Sequence, residues 1–517
     1  MEYLESFFGY DSNSLLIFTG INFWIFFGIL LLIFSFIYSK TGWRNIFLFL
    51  SSLFFYYKCG GGFVILLFLA VVANFYLGIW MGRIHDKRQQ KKVLLLTIFL
   101  NLGMLFWFKY TAFFISLFNQ MTGNHVKVFN FINWGINHLT GNHLSITDIL
   151  VPLGISFFTF QLISYSIELY RKKIEPVRNF TDFGFYITFF PQLISGPIVK
   201  PQHFIPQIRK PYELSRDEYG LAIFLILSGL VKKVVFADYL SVNFVGRVFD
   251  NPNLFTGFES LLAAYGYTLQ IYFDFSGYTD LAIGIALLLG YRLPPNFDSP
   301  YKARNISDFW RRWHMSLTTW FRDYLFLPFA YYLSGKMVRP RYFNIRTELF
   351  VYITIILFTF FICGLWHGAA VNFIIWGGLH GTALAIHKLF YPKARRNKNL
   401  HPVRLYVSRI FTFHFIVFTW IVFRISSAEE FSIMMKKMFF QFHAALAGQI
   451  ITAYWKEIIL LLVGFLLIWL PSKIKEALKR SFVAMPEFGK VIILVCVIFI
   501  IYQFKISGIQ PFIYFRF

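Results

Sequence analysis

The chain has 517 residues, of which 57% are hydrophobic, 21% aromatic and only 14% charged. Soluble domains run near half apolar and a quarter charged, so a water-soluble enzyme is excluded, and so is a disordered or fibrous chain. The net charge of +24 would suggest nucleic acid on a soluble protein. Here the cations sit in short loops between apolar runs, the pattern of charge that sets membrane topology.

The first residues carry Glu2, Glu5 and Asp11 and no basic n-region, so no cleavable signal peptide is read. Long apolar runs then predict spans near 15–38, 45–57, 62–82, 93–117, 148–170, 219–240, 258–290, 349–365, 369–387, 405–423, 456–470 and 488–505. A straight span needs roughly 20 apolar residues, which several of these lack. Lys40 and Arg44 follow the first run, so the N-terminus is placed outside the cytoplasm. Alternating from there puts Arg83–Lys92, Arg171–Arg178, Arg292–Arg312, Lys388–Arg404 and Lys473–Arg480 inside. These are the densest basic clusters, as the positive-inside rule requires. The segments 119–147 and 425–455 then lie outside. Cys59, Cys363 and Cys496 all fall in apolar runs and read as buried thiols.

Two stretches do not read as simple spans. Residues 181–200 are apolar but contain Pro191, Gly196 and Pro197, with Arg178 and Lys200 at the two ends. A segment that enters and leaves on one face is the economical reading, and its irregular backbone then needs protein or water around it. Residues 313–335 alternate charge with aromatics, as in a helix lying at the interface. No internal repeat and no linker is visible, so 1–517 is read as one membrane-embedded domain, with core motifs over 150–390 and C-terminal helices over 405–517.

Polar residues are costly in lipid and mark the places to look for chemistry. His367 lies in Phe361-Ile-Cys-Gly-Leu-Trp-His-Gly-Ala-Ala370. A helix starting near Leu349 climbs roughly 27 Å in 18 residues, which sets His367 near the apex of a helical hairpin. Gly364 and Gly368 would let another group approach closely. A neutral imidazole there suits general-base work on a hydroxyl nucleophile. His380, 13 residues on, is a partner or mere packing. His414, alone inside a span, reads as structural. His314 is crowded by Arg311, Arg312 and Trp313 in Trp310-Arg-Arg-Trp-His314. That run reads either as an interfacial anchor or as a cationic entrance for an anionic donor.

Asp274 and Asp280 sit in the span 258–290 with Gln270, Ser276, Tyr278 and Thr279. The two acids are separated by about 240° of helical rotation, so they share no face unless the helix breaks at Gly277. A polar strut holding a catalytic site is preferred over an ion path. Cys363 and His367 at i, i+4 are only two possible metal ligands, so no metal is assigned. No P-loop, paired nucleotide fingerprint, HExxH or GxSxG motif occurs.

On these residues the chain resembles the membrane-bound O-acyltransferases (MBOAT), and most of all the bacterial alginate O-acetyltransferase branch. The likeness is carried by Val151-Pro-Leu-Gly-Ile-Ser-Phe-Phe-Thr-Phe160, Phe190-Pro-Gln-Leu-Ile-Ser-Gly-Pro197, and the run from Gln270-Ile-Tyr-Phe-Asp274 through Trp310–His314 to Arg322-Asp-Tyr-Leu325. Leu365-Trp-His-Gly-Ala369 and the closing Phe512-Ile-Tyr-Phe-Arg-Phe517 complete it. Residues 1–150 match only in hydropathy. One departure is the run Leu327-Pro-Phe-Ala-Tyr-Tyr-Leu-Ser-Gly-Lys336, where the branch continues with a short Gly-Gly-Asn-Arg type of turn. The resemblance implies an all-α polytopic bundle of about 12 transmembrane helices, with re-entrant and interfacial segments around a central tunnel. It implies that His367 is the catalytic histidine and His314 the second motif histidine.

It also implies an acetyl group passed from a cytoplasmic thioester, acetyl-CoA or an acyl carrier protein, across the bacterial inner membrane. The recipients would be an extracytoplasmic acetyltransferase partner and an exported polysaccharide. No tightly bound cofactor is implied. On this reading Arg311, Arg312 and Trp313 meet the donor. Asp274, Asp280, Gln270 and Trp366 form the supporting polar network. D-alanyl transfer to teichoic acid and acylation of a lipid or protein are the alternatives within the class. A transporter would show paired halves and matching broken helices, which are not found. A scaffold without chemistry is the third option.

Overall fold

The computed structural model describes residues 9–11, 15–140, 145–390, 401–425 and 427–504. Glu2, Glu5, His143, residues 391–400 of the Lys388–Arg404 loop and the closing Phe512–Phe517 run lie outside the described residues. Among the described residues the regular structure is helical apart from one two-residue pairing, β1 (Arg341–Tyr342) with β2 (Ile345–Arg346). It divides into two compact units, 1–212 and 213–517. The motifs over 151–197 belong to the first unit, and those from Gln270 onward to the second.

In the first unit, α1 (Ile21–Ile37), α2 (Thr41–Gly60), α3 (Phe63–Arg83), α4 (Lys87–Thr122), α5 (Phe131–Thr140), α6 (Ile155–Tyr170), α7 (Phe180–Thr188) and α8 (Pro201–Ile208) follow in order. The segment 181–200 folds as a broken element. Helix α7 stops at Phe189, a single turn covers Phe190–Leu193, and an irregular chain returns to Lys200. Its backbone is sealed in protein, as lipid would demand. Phe190 N donates to Ser52 Oγ at 3.2 Å, and Tyr186 Oη donates to Val199 O at 3.0 Å. Gly154 sits against this turn with φ +71°, and a Cβ there would lie 2.9 Å from Leu193 O. The first two motifs therefore touch each other.

The second unit holds α9 (Arg216–Asp250), α10 (Gly257–Leu288), α11 (Ile306–Trp310), α12 (Met315–Phe321), α13 (Thr347–His367), α14 (Val371–Phe390), α15 (Pro402–Arg424), α16 (Ala428–Phe440), α17 (Ala447–Ala453), α18 (Trp455–Trp469), α19 (Ser472–Ala484) and α20 (Glu487–Phe504). Helix α12 continues through a wider turn, Arg322–Phe326, into Leu327–Lys336. Each of the twelve expected spans contains a helix. Seven of the described helices are long and apolar enough to cross a membrane, and the pair α17/α18, bent by 93°, makes up to eight. This is a multi-pass, all-α membrane protein.

Lipid supplies no hydrophobic drive between helices, so contact depends on small residues. Glycines stand at both main crossings of the second unit. A Cβ on Gly229 would lie 2.7 Å from Gly277 O, and one on Gly284 would lie 2.8 Å from Ala222 O. Gly364 and Gly377 let α13 and α14 close backbone to backbone against Phe373 O and Phe360 O. The expectation for the thiols is corrected at one position. Cys59 and Cys363 are buried, but Cys496 is exposed, because α20 buries only Lys490.

The hairpin crossing gives a direct test. Gly377→Ala forces Phe360 O to move, a strain of about 1–3 kcal/mol for overpacking. The adjacent Gly378 has open space where its Cβ would be. Detergent-solubilised Gly377→Ala should melt several degrees lower, with Gly378→Ala unchanged. Equal melting of the two would contradict the crossing.

Candidate active site

The hairpin ends where the sequence places it. His367 is the last residue of α13, and Gly368 takes extended backbone before α14 begins at Val371. A side chain on Gly368 would collide with the Phe373 ring. His367 is buried and boxed edge-to-face by Trp366 at 4.9 Å, Trp376 at 5.0 Å and Phe423 at 5.3 Å between ring centroids. Edge-to-face rings fix an imidazole's plane, which a reacting nitrogen needs.

His314 stands between α11 and α12 with φ +44°, an uncommon backbone for a residue with a side chain. The buried Asn296 holds this turn. Its carbonyl accepts from Met315 N at 3.0 Å and its Oδ1 from Ser316 N at 3.1 Å. The turn aims the imidazole inward. His314 packs edge-on to Phe275 of α10 at 4.5 Å and lies 6.1 Å from Trp366. Trp366 therefore contacts both histidine rings, joining two motifs about fifty residues apart in sequence.

The residues of the expected entrance divide between interior and surface. His314 is fully buried and Trp313 is 1% exposed, stacked on Phe309 at 5.6 Å and tilted on Trp420 at 5.0 Å. Both are interior residues, because the helical turn after Arg312 points them into the bundle. Arg311 and Arg312 remain outward, with side chains 54% and 27% exposed. Asp308 anchors them, accepting from Arg312 Nε at 3.2 Å and Arg311 Nη2 at 3.3 Å. Burial raises the Asp308 carboxyl, but the Arg304 N–H and the two guanidiniums outweigh it and hold the group below its ordinary value.

Asp274 and Asp280 do point in different directions, and α10 does not break at Gly277. Each finds its own lysine on α9. Lys233 Nζ lies 2.5 Å from Asp274 and 2.7 Å from Asp238, and Lys232 Nζ lies 2.5 Å from Asp280. The π-type winding of Val231–Asp238 splays these adjacent lysines toward the two acids. Sequence reading missed both lysines, although two cations inside the run 219–240 were the signal. Gln270 is buried one turn before Asp274 on α10. Trp376 and Phe423 were missed as well; aromatic residues in apolar helices carry no mark of their own.

His380 resolves as packing. Trp310 Nε1 donates to its Nδ1 at 3.2 Å, and its Nε2 lies 3.1 Å from Thr419 Oγ1, which itself donates to Ile416 O. Both ring nitrogens are used structurally. His414 is also structural, lying 2.9 Å from Tyr265 Oη and 2.8 Å from Ile410 O.

Residues 176–428, which hold His314, His367 and the paired lysines and aspartates, match the model of the membrane-bound O-acyltransferase family. Curated relatives extend the match over most of the chain. A peptidoglycan O-acetyltransferase of Helicobacter pylori is 34% identical over 420 residues, covering 76% of this chain and 73% of the relative. A probable alginate O-acetylase, AlgI, of Pseudomonas aeruginosa is 34% identical over 402 residues, covering 78% and 71%. A teichoic acid D-alanyltransferase of Bacillus subtilis is 32% identical over 281 residues, covering 52% and 68%.

The chain belongs to the MBOAT family. It is a membrane O-acyltransferase, and among its relatives the O-acetyltransferases share the greater part of its length.

Removing Lys233 would take the ammonium away from the buried Asp274 carboxylate and from the partly covered Asp238. Breaking such a pair costs about 3–5 kcal/mol. Lys233→Met should therefore cut the yield of folded protein sharply, whereas Lys232→Met, whose partner is better solvated, should cost less. Equal tolerance of both, measured by size-exclusion profile, would contradict the strut.

Proposed function

We propose that this acyltransferase moves an acetyl group from a cytoplasmic thioester, acetyl-CoA or an acyl-carrier phosphopantetheine, toward a hydroxyl on the far side of the bacterial inner membrane. His367 is the general base. It takes the proton of the acceptor hydroxyl as that oxygen bonds to the thioester carbonyl carbon. The C–S bond then breaks, and the thiolate leaves with the proton returned by the imidazolium. His314 shares the reaction chamber and orients the acyl group through its contact with Trp366. Asp274 and Asp280, neutralised by Lys233 and Lys232, keep α9 and α10 in register around that chamber. Gln270 lines the same helix. Arg311 and Arg312 guide the anionic donor into a tunnel, and Trp313 supports them from within.

The observation that carries this reading is Trp366 in contact with both histidines, at 4.9 and 6.1 Å. Family membership supports the transfer chemistry, and the wider coverage of the O-acetyltransferase relatives favours acetyl over D-alanyl. The names of those relatives point to an envelope glycan or exported polysaccharide as final acceptor. An extracytoplasmic acetyltransferase would be the partner that receives the group. The basic loops support an N-terminus outside the cytoplasm.

General-base catalysis contributes about 10²–10⁴ in rate. Cells lacking the chain should therefore regain ester acetyl groups on their envelope glycan with wild type but not with His367→Ala at equal membrane abundance. His380→Gln, where only packing is touched, should restore them in proportion to the protein that folds. Full restoration by His367→Ala would overturn His367 as the general base.

A further inference from the structure

A second cluster of charge lies beside this site and shares only Arg312 with the roles given above. Lys302 ends a short 3-10 turn, Pro300–Lys302, and its Nζ donates to Leu470 O at 2.6 Å. Lys475 of α19 donates to Ile468 O at 3.1 Å. Both ammonium groups thus converge on the last carbonyls of α18. The turn that carries Lys302 is rigid. Tyr301 Oη donates to Thr268 O at 2.7 Å and accepts from Trp420 Nε1 at 3.2 Å. Arg312 is tied to the chain just before this turn, donating to Asp298 Oδ2 at 3.0 Å. Arg409 of α15 also acts on Lys302, and its buried Nε makes no hydrogen bond among the described residues.

A helix C-terminus carries about half a negative charge and suits one lysine. Here Lys302 and Lys475 both reach that end, and Arg409 and Arg312 act on the charge of Lys302, with Asp298 and Asp308 as the neighbouring carboxylates. The excess of positive charge is felt within the cluster. Burial first, and then the ammonium groups of Lys302 and Lys232, hold Lys475 down to about 8. Burial, then Arg409 and Arg312, likewise lower Lys302 against the pull of Asp298. Like charges are brought together at such a cost where an anion separates them.

We propose that Lys302, Lys475, Arg312 and Arg409 form a seat for the phosphate groups of a phosphorylated acyl donor. This deepens the acyl-transfer reading and rests on it for the identity of the donor. The seat adjoins the chamber directly, because Arg312 is two residues from His314 and Tyr301 packs against Trp313 at 6.1 Å. A phosphate held there leaves the thioester arm to run inward along the aromatic wall. The headgroup of an anionic lipid carries the same phosphate chemistry, so the test separates the two sources.

The full chain is placed in nanodiscs of phosphatidylcholine, and methylation of each lysine by formaldehyde and borane at pH 8 is read by mass spectrometry. Lys475, partly neutral at that pH, should react faster than its exposed neighbour Lys473. Inorganic pyrophosphate should slow Lys475 about tenfold at about ten times its dissociation constant, with chloride of equal ionic strength inert. Lys302→Gln should raise the pyrophosphate needed by about tenfold, as expected for one charge-assisted contact. It should also raise the donor KM with kcat unchanged. No protection by pyrophosphate overturns the seat. Protection by phosphatidylglycerol nanodiscs that pyrophosphate cannot displace overturns the donor and makes lipid the occupant. His367→Ala protein should be protected like wild type, so loss of the catalytic reading and loss of the seat give different results.

Discussion

Backbone-to-backbone contact at glycine is the constraint from which the second unit follows. At Gly364 and Gly377 the helices α13 and α14 meet with no side chain between them. At Gly229, Gly277 and Gly284 the helices α9 and α10 do the same. In lipid, association must come from such close packing, because hydrocarbon surrounds the separated helices as comfortably as the joined ones. The first crossing turns the chain immediately after His367 and packs Trp376 against it. The second sets Lys232 and Lys233 within reach of Asp280 and Asp274.

That second consequence explains how charges survive in an apolar bundle. A carboxylate taken from water costs several kcal/mol unless it is paired and hydrogen-bonded. Asp274 meets this cost with Lys233, which also holds Asp238. Asp280 meets it with Lys232 and with Ser228 at 3.3 Å. The π-type winding is what makes two adjacent lysines diverge, so local backbone, charge and crossing are one arrangement. Phe275, next to Asp274 in sequence, then rests on His314. The ion pairs thus hold in place the part of α10 that meets His314.

Much of this was legible in the sequence. The apolar runs locate the helices, since hydropathy over a span is a local property. The apex at His367 follows from helix rise and the glycines beside it. The broken element at 181–200 follows from Pro191, Gly196 and Pro197. Other features needed tertiary contact. The inward turn of His314 depends on Asn296 and on a positive φ, neither visible in a run of tryptophans and arginines. The exposure of Cys496 reflects how little of α20 is covered. Lys302 and Lys475 are 173 positions apart, and only the end of α18 brings them together.

His367 ends a hairpin closed by the glycine crossing of α13 and α14, and it is the residue on which the proposed reaction turns. The most direct measurement is ester formation by the purified chain in nanodiscs, given a labelled acetyl thioester and a soluble hydroxyl acceptor, comparing wild type with His367→Gln. Wild type should form ester product and the variant should lose at least about a hundredfold in rate, both proteins showing the same melting behaviour. Equal rates from the two folded proteins would contradict general-base catalysis by His367.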